Sequence, residues 1–81
     1  MRIDKFLNTV NITKRRAISE DMCRSGVVSI NDIVVKPSKE VKVKDIISLK
    51  FNTHTDRYEV LAIPTVKNIA KNRQDEFVKK L

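Results

Sequence analysis

Two short stretches of this 81-residue chain hold cations spaced for chemistry on anions. Lys14, Arg15 and Arg16 stand in a row, and Arg2 and Lys5 sit three residues apart near the start. A guanidinium grips two phosphate oxygens at once, and an ammonium serves as a point charge. The chemistry on offer is therefore capture of phosphate, with Lys36 and Lys39 around Pro37 as a rim. Asp4 falls between Arg2 and Lys5. It reads as a cap or as an ion-pair partner that orients Arg2 or Arg16, in preference to a catalytic acid.

Bond-making chemistry finds little support. The single glycine, Gly26, rules out a glycine-rich phosphate loop. Cys23 falls on an apolar helix face and reads as core. His54 is the only histidine and stands in a polar loop without a set of metal ligands around it. No Ser-His-Asp arrangement follows from the spacing. The expectation is no catalytic residue, no cofactor and no metal. Lys plus Arg outnumber Asp plus Glu 17 to 10, giving +7, which points to a polyanionic partner. No apolar run reaches membrane-spanning length, there is no signal-peptide pattern, and a lone cysteine makes no internal disulfide. The expectation is a soluble cytoplasmic monomer with no membrane contact.

The elements that must position these cations follow from periodicity. Ile3, Phe6, Leu7 and Val10 have the i, i+3, i+4, i+7 spacing of one helix face. A second helix is expected from a Thr13 N-cap to a Gly26 stop. Its buried arc of about 140° holds Ile18, Ser19, Met22 and Cys23. Three cations then fall in its first turn, where the helix dipole disfavours them. After Gly26 the period shortens. VVSI and IVVK flank a two-residue Asn31-Asp32 turn, and Val41 and Val43 alternate with lysines ahead of a turn at Asp45. Ile47, Leu49 and Phe51 read as a half-buried strand, NTHTD as a loop, and RYEVLAI as a strand closed by Pro64. Residues 65–81 read as a helix with apolar patches at Val66, Ile69 and Ala70 and at Phe77, Val78 and Leu81. The fold class is α+β: two short helices on a small, mostly antiparallel sheet, with a C-terminal helix.

RIDKFL, then KRR with Gly26 ten residues beyond Arg16, then GVVSIN and VKPSKEVKVKDIISL occur in order. This pattern resembles the RNA-binding domain first described in ribosomal small-subunit protein S-four. The likeness is strongest over residues 1–51. The chain as a whole is similar to the stand-alone bacterial subfamily of heat-shock-type ribosome-recycling and ribosome-associated quality-control proteins. The resemblance implies an L-shaped RNA-binding surface made by two helices and the start of the sheet. Arg2, Asp4, Lys5 and Arg16 match its RNA-facing signature. Two positions depart from the family pattern: its Asn-Gly turn is Asn31-Asp32 here, and its Gly-Asp is Lys44-Asp45. The division expected is an RNA-binding domain over 1–63 and a basic helical extension over 64–81.

The function expected is non-enzymatic binding of structured RNA. Aromatic residues are few, so recognition by shape and phosphate is favoured over base stacking. Neutralising about five phosphates would give a log–log salt slope on the order of −4. The resemblance implies large-subunit ribosomal RNA and peptidyl-tRNA as partners, on a stalled large ribosomal subunit. Two alternatives remain at this point. One is a helix-turn-helix DNA regulator, disfavoured by the few polar side chains left for base edges. The other is a protein-interaction module that uses the terminal helix.

Overall fold

In the computed structural model, which describes residues 1–81, the chain is α+β. Helix α1 spans Ile3–Thr9 and α2 spans Arg16–Arg24. Strands β1 (Val28–Ile30), β2 (Ile33–Val34), β3 (Ile46–Lys50), β4 (Thr55–Val60) and β5 (Val78–Lys80) form one antiparallel sheet in the order β2-β1-β3-β4-β5. The predicted face of α1 is the heart of the core: Ile3, Phe6, Leu7 and Val10 are all fully buried. They pack on Val28, Ile30, Ile47, Leu49, Val60 and Val78 from the sheet.

Both helices stop by the same device. At the end of α1, Asn11 takes φ 63°. Its N–H donates to Asn8 O and that of Ile12 donates to Leu7 O. At the end of α2, Gly26 takes φ 79°, with Gly26 N–H on Cys23 O and Val27 N–H on Met22 O. These are paired 5→2 and 6→1 bonds around a left-handed residue, the arrangement that satisfies orphan helix carbonyls.

The first of these stops changes the start of α2. Thr13 N–H also donates to Leu7 O, which ties residues 12 and 13 back onto α1. Thr13 is therefore not the N-cap. Its buried hydroxyl pairs with that of Ser19. Arg15, in extended conformation, is the N-cap, and Arg16 is the first helical residue. Lys14 and Arg15 precede the helix, so only one of the three cations meets the dipole from inside the first turn. Ser19 and Cys23 are buried as expected and Met22 half-buried, but Ile18 is 44% exposed. The buried arc of α2 is narrower than its apolar sequence.

The turn residues behave as the hairpin requires. Asn31 and Asp32 take φ 51° and 68°, and Ile30 pairs with Ile33, so a two-residue turn with two left-handed positions joins β1 to β2. Lys44 takes φ 77°. Asp45 closes this second turn by accepting from Lys42 N–H and from the Asn31 amide. Val43 is 49% exposed and forms no strand. The β3–β4 hairpin is tighter than expected. β4 begins at Thr55, inside the predicted loop, and ends at Val60. Phe51 lies beyond β3 and is 39% exposed.

The tail is where helical periodicity misleads. Helical structure after Pro64 is confined to a 3₁₀ helix at Lys71–Glu76, and residues 78–80 are strand β5. Val66, Ala70 and Leu81 are exposed, while Ile69 and Val78 enter the core. Two forces favour this outcome. The edge of β4 needs a partner for its backbone groups, and Val78 pairs with Val60 to supply one. Residues 65–69 also include β-branched Thr65, Val66 and Ile69, which have weak helix propensity. Long-range bonds then hold the segment. Asn11 Nδ2 donates to Ile69 O at 2.8 Å, and Gln74 Nε2 donates to Val10 O at 2.7 Å. The tail thus packs on its own domain and presents no free amphipathic helix.

Candidate nucleic-acid interface

Asp4 lies in the first turn of α1 and is fully buried. Its Oδ1 accepts the Lys5 N–H at 2.7 Å. Its Oδ2 is 3.1 Å from Arg2 Nη2 and 3.6 Å from Arg16 Nε. One carboxylate oxygen therefore holds two guanidinium groups, one from the start of each helix. Arg2 is 50% exposed and Arg16 47%. Each guanidinium is held at one nitrogen while about half of its side chain stays exposed. A first-turn acid also suits the dipole of α1. The sequence expectation that Asp4 orients Arg2 or Arg16 holds for both.

Backbone pairing brings the rim. Ile3 N–H donates to Lys39 O at 2.7 Å, Asp4 N–H to Pro37 O at 3.3 Å, and Val41 N–H to Met1 O at 2.9 Å. Residues 37–41 thus run alongside the N-terminus, and Lys36 and Lys39 come beside Arg2. Lys5, Lys14, Arg15, Lys36 and Lys39 are exposed, and none is within salt-bridge distance of an acid. Unpaired cations beside two half-paired arginines give a surface with unspent positive charge. Arg2, Asp4 and Arg16 are joined directly. Lys5, Lys14 and Arg15 flank them in sequence without a direct side-chain contact.

One basic residue escaped the sequence reading. Arg24 lines an open groove of about 680 Å³ together with Arg2, Lys36 and Pro37. It pairs with Glu20 one turn back. In sequence, an arginine in the last turn of a helix looks like a dipole complement, so no local signal sets it apart. Cys23, on the same groove wall, is buried. Burial, followed by the Asp4 and Glu20 charges, pushes its thiol up to about 11. A thiol held in its neutral form is a poor nucleophile.

Comparison with known proteins identifies the family and the fold. The S4 domain model matches residues 1–47. A protein of Helicobacter pylori strain J99, named RQC P-site tRNA stabilizing factor, is 49% identical over 71 residues, covering 88% of this chain and 84% of that protein. A Bacillus subtilis protein of the same name is 37% identical over 51 residues, covering 63% of this chain and 59% of that one. Among solved structures, the hypothetical protein HP1423 superposes with a TM-score of 0.86 at 41% identity, covering 100% of this chain and 96% of that one. Trimeric heat shock protein 15 of Vibrio cholerae shares the fold, with a TM-score of 0.89 at 22% identity over 100% of this chain and 81% of that one. Strong identity across most of the chain, and a family match over the residues that build the Arg2–Asp4–Arg16 cluster, lead to one conclusion: the chain belongs to the S4 domain family and, within it, to the family of RQC P-site tRNA stabilizing factors.

Proposed function

We propose that this chain is a non-enzymatic RNA-binding protein that acts on the large ribosomal subunit carrying stalled peptidyl-tRNA. The observation that carries the reading is the pairing of Arg2 and Arg16 on the buried Asp4. Such an arrangement lowers the entropy lost when a guanidinium engages a phosphate, because the side chain is already placed. Arg2 and Arg16 bind backbone phosphates of folded RNA. Lys5, Lys14, Arg15, Lys36 and Lys39 add long-range attraction around them. Asp4 touches no RNA and acts by positioning. The names of the H. pylori and B. subtilis relatives support tRNA held in the ribosomal P site as the setting. No step of bond chemistry is required: the protein works by occupancy, holding RNA elements in place.

The test is co-sedimentation with purified large ribosomal subunits over a salt series, with Arg2→Ala and Arg16→Ala beside the wild type. Binding is expected to fall with salt, to strengthen when peptidyl-tRNA is present, and to weaken in both variants with a log–log slope reduced by about 1 each. Equal binding to large subunits, small subunits and duplex DNA, unchanged by either substitution, would overturn the reading.

A further inference from the structure

Phe51 and His54 face each other at the mouth of the β3–β4 hairpin, where Phe51 N–H donates to His54 O at 2.8 Å. Their ring centroids are 5.1 Å apart, with the planes tilted by 38°. Phe51 is 39% exposed, although an aromatic ring of its size gains by burial. The histidine beside it is exposed, with a polar neighbour at each ring nitrogen. Nδ1 lies 3.0 Å from Thr53 Oγ1, and Nε2 lies 3.5 Å from Asp56 Oδ2. Asp56 is in turn 3.7 Å from Lys80 Nζ on β5. Contacts through Thr53, Asp56 and Lys80 set one solvent-facing imidazole beside one solvent-facing phenyl ring.

We infer that the Phe51–His54 pair is a stacking shelf for one unpaired RNA base. The inference rests on the RNA-binding reading above and extends it to a second contact. An exposed aromatic pair whose rings already lie against each other stacks a base at a reduced ordering cost. Base–aromatic stacking tolerates any base, because every base has a π-face. Lys50, the chain neighbour of Phe51, is exposed and within salt-bridge distance of no acid. The Asp56 carboxylate lies 3.5 Å from His54 Nε2 and 3.7 Å from Lys80 Nζ, so a cation offsets its charge beside the ring. Placement also fits. Lys50 N–H donates to Val27 O at 2.9 Å, so the hairpin mouth adjoins the C-terminal end of α2. Arg16 sits at the other end of that helix, which is about 14 Å long, and the groove of Arg2, Arg24 and Lys36 also reaches Gly26, just past the helix end. On this inference one RNA meets Arg16 and the groove cations along α2 and places one unpaired base on the shelf.

The experiment measures binding to purified large ribosomal subunits over a salt series for wild type, Phe51→Ala, Phe51→Leu, Phe51→Trp and Arg16→Ala. Thermal melts confirm that each is folded. Phe51→Ala and Phe51→Leu are expected to weaken binding by about 5- to 150-fold with the salt slope unchanged, because stacking releases no counterions. Phe51→Trp, which keeps a ring, is expected to retain binding. If the leucine variant binds as well as wild type, apolar contact suffices and the shelf is refuted. If every Phe51 variant binds normally while Arg16→Ala does not, the shelf fails and the RNA-binding reading stands. If Arg16→Ala also binds normally, with no salt dependence in any variant, the RNA-binding reading fails and takes the shelf with it.

Discussion

Arg16 Nε stands 3.6 Å from Asp4 Oδ2, so a residue at the start of α2 is anchored by one in the first turn of α1. The contact crosses between helices and ends on the oxygen that also holds Arg2. On the proposed RNA-binding reading, Asp4 couples stability to affinity, while Arg16 serves affinity. Asp4→Ala is expected to lower stability by about 1–3 kcal/mol, since the Lys5 N–H and two guanidinium groups lose a buried acceptor. On the same reading RNA affinity should fall with it, although Asp4 is fully buried. Arg16→Ala should cost under about 1 kcal/mol of stability, because its side chain is half-exposed. Urea unfolding and large-subunit binding, measured on both variants, separate the two roles. Equal stability loss in both would refute the assignment of Asp4 as the positioning group.

Lys44 and Asp32 both occupy left-handed backbone, at φ 77° and 68°. For most side chains that region costs roughly 1–2 kcal/mol, and less for Asp. Lys44→Gly is therefore expected to stabilise the protein by about 0.5–1 kcal/mol after the entropy of the freer unfolded chain is subtracted. Asp32→Gly should gain less. Thermal melts of the two variants give the order directly, and a destabilised Lys44→Gly would show that the lysine makes an offsetting contact.

β5 closes the sheet through Val60↔Val78, and Val78 is 3% exposed. Val78→Asp is expected to destabilise by more than about 2 kcal/mol, through an unpaired carboxylate placed in the core. Removal of residues 65–81 should expose the β4 edge and lead to unfolding or aggregation. A truncated chain that melts like the full one would overturn this account of the tail.

The parts of this fold legible in the sequence are those set by local pattern. Ile3, Phe6, Leu7 and Val10 announce a helix face because nothing else in the chain competes for them, and all four are fully buried. The Asn31-Asp32 turn is legible because few residue types tolerate two left-handed positions. The tail is misread for a non-local reason. Its apolar spacing fits a helix, but Val78 pairs with a strand edge that lies eighteen residues earlier at Val60. The site divides in the same way. Asp4 beside Arg2 is a local signal, whereas its contact with Arg16 depends on the left-handed Asn11 turning the chain so that α2 meets α1. Arg24 reaches the groove through the packing of α2, and Phe51 leaves the core because β3 stops at Lys50. Neither event has a signature within a few residues of the position it affects.

Cys23 yields a pH prediction whose sign is fixed by its surroundings. Burial first, then the charges of Asp4 and Glu20, raise the thiol from the ordinary 9.0 to about 11 in the folded protein. Between these values the unfolded chain loses the proton and the folded chain keeps it. Folding stability from this group is therefore complete below about pH 9 and declines as pH rises toward 11. The full loss is on the order of 2–3 kcal/mol. Cys23→Ser or Cys23→Ala removes the dependence at some cost in packing, so the comparison is between slopes, not absolute stabilities. Urea midpoints from pH 8 to 10.5 should decline more steeply for wild type than for either variant. Parallel slopes would mean that the thiol is not the group responsible. A thiol-reactive dye at pH 8 gives an independent check: labelling should be slow in the folded state and should accelerate in urea, because the thiolate is the reactive form and the folded state withholds it.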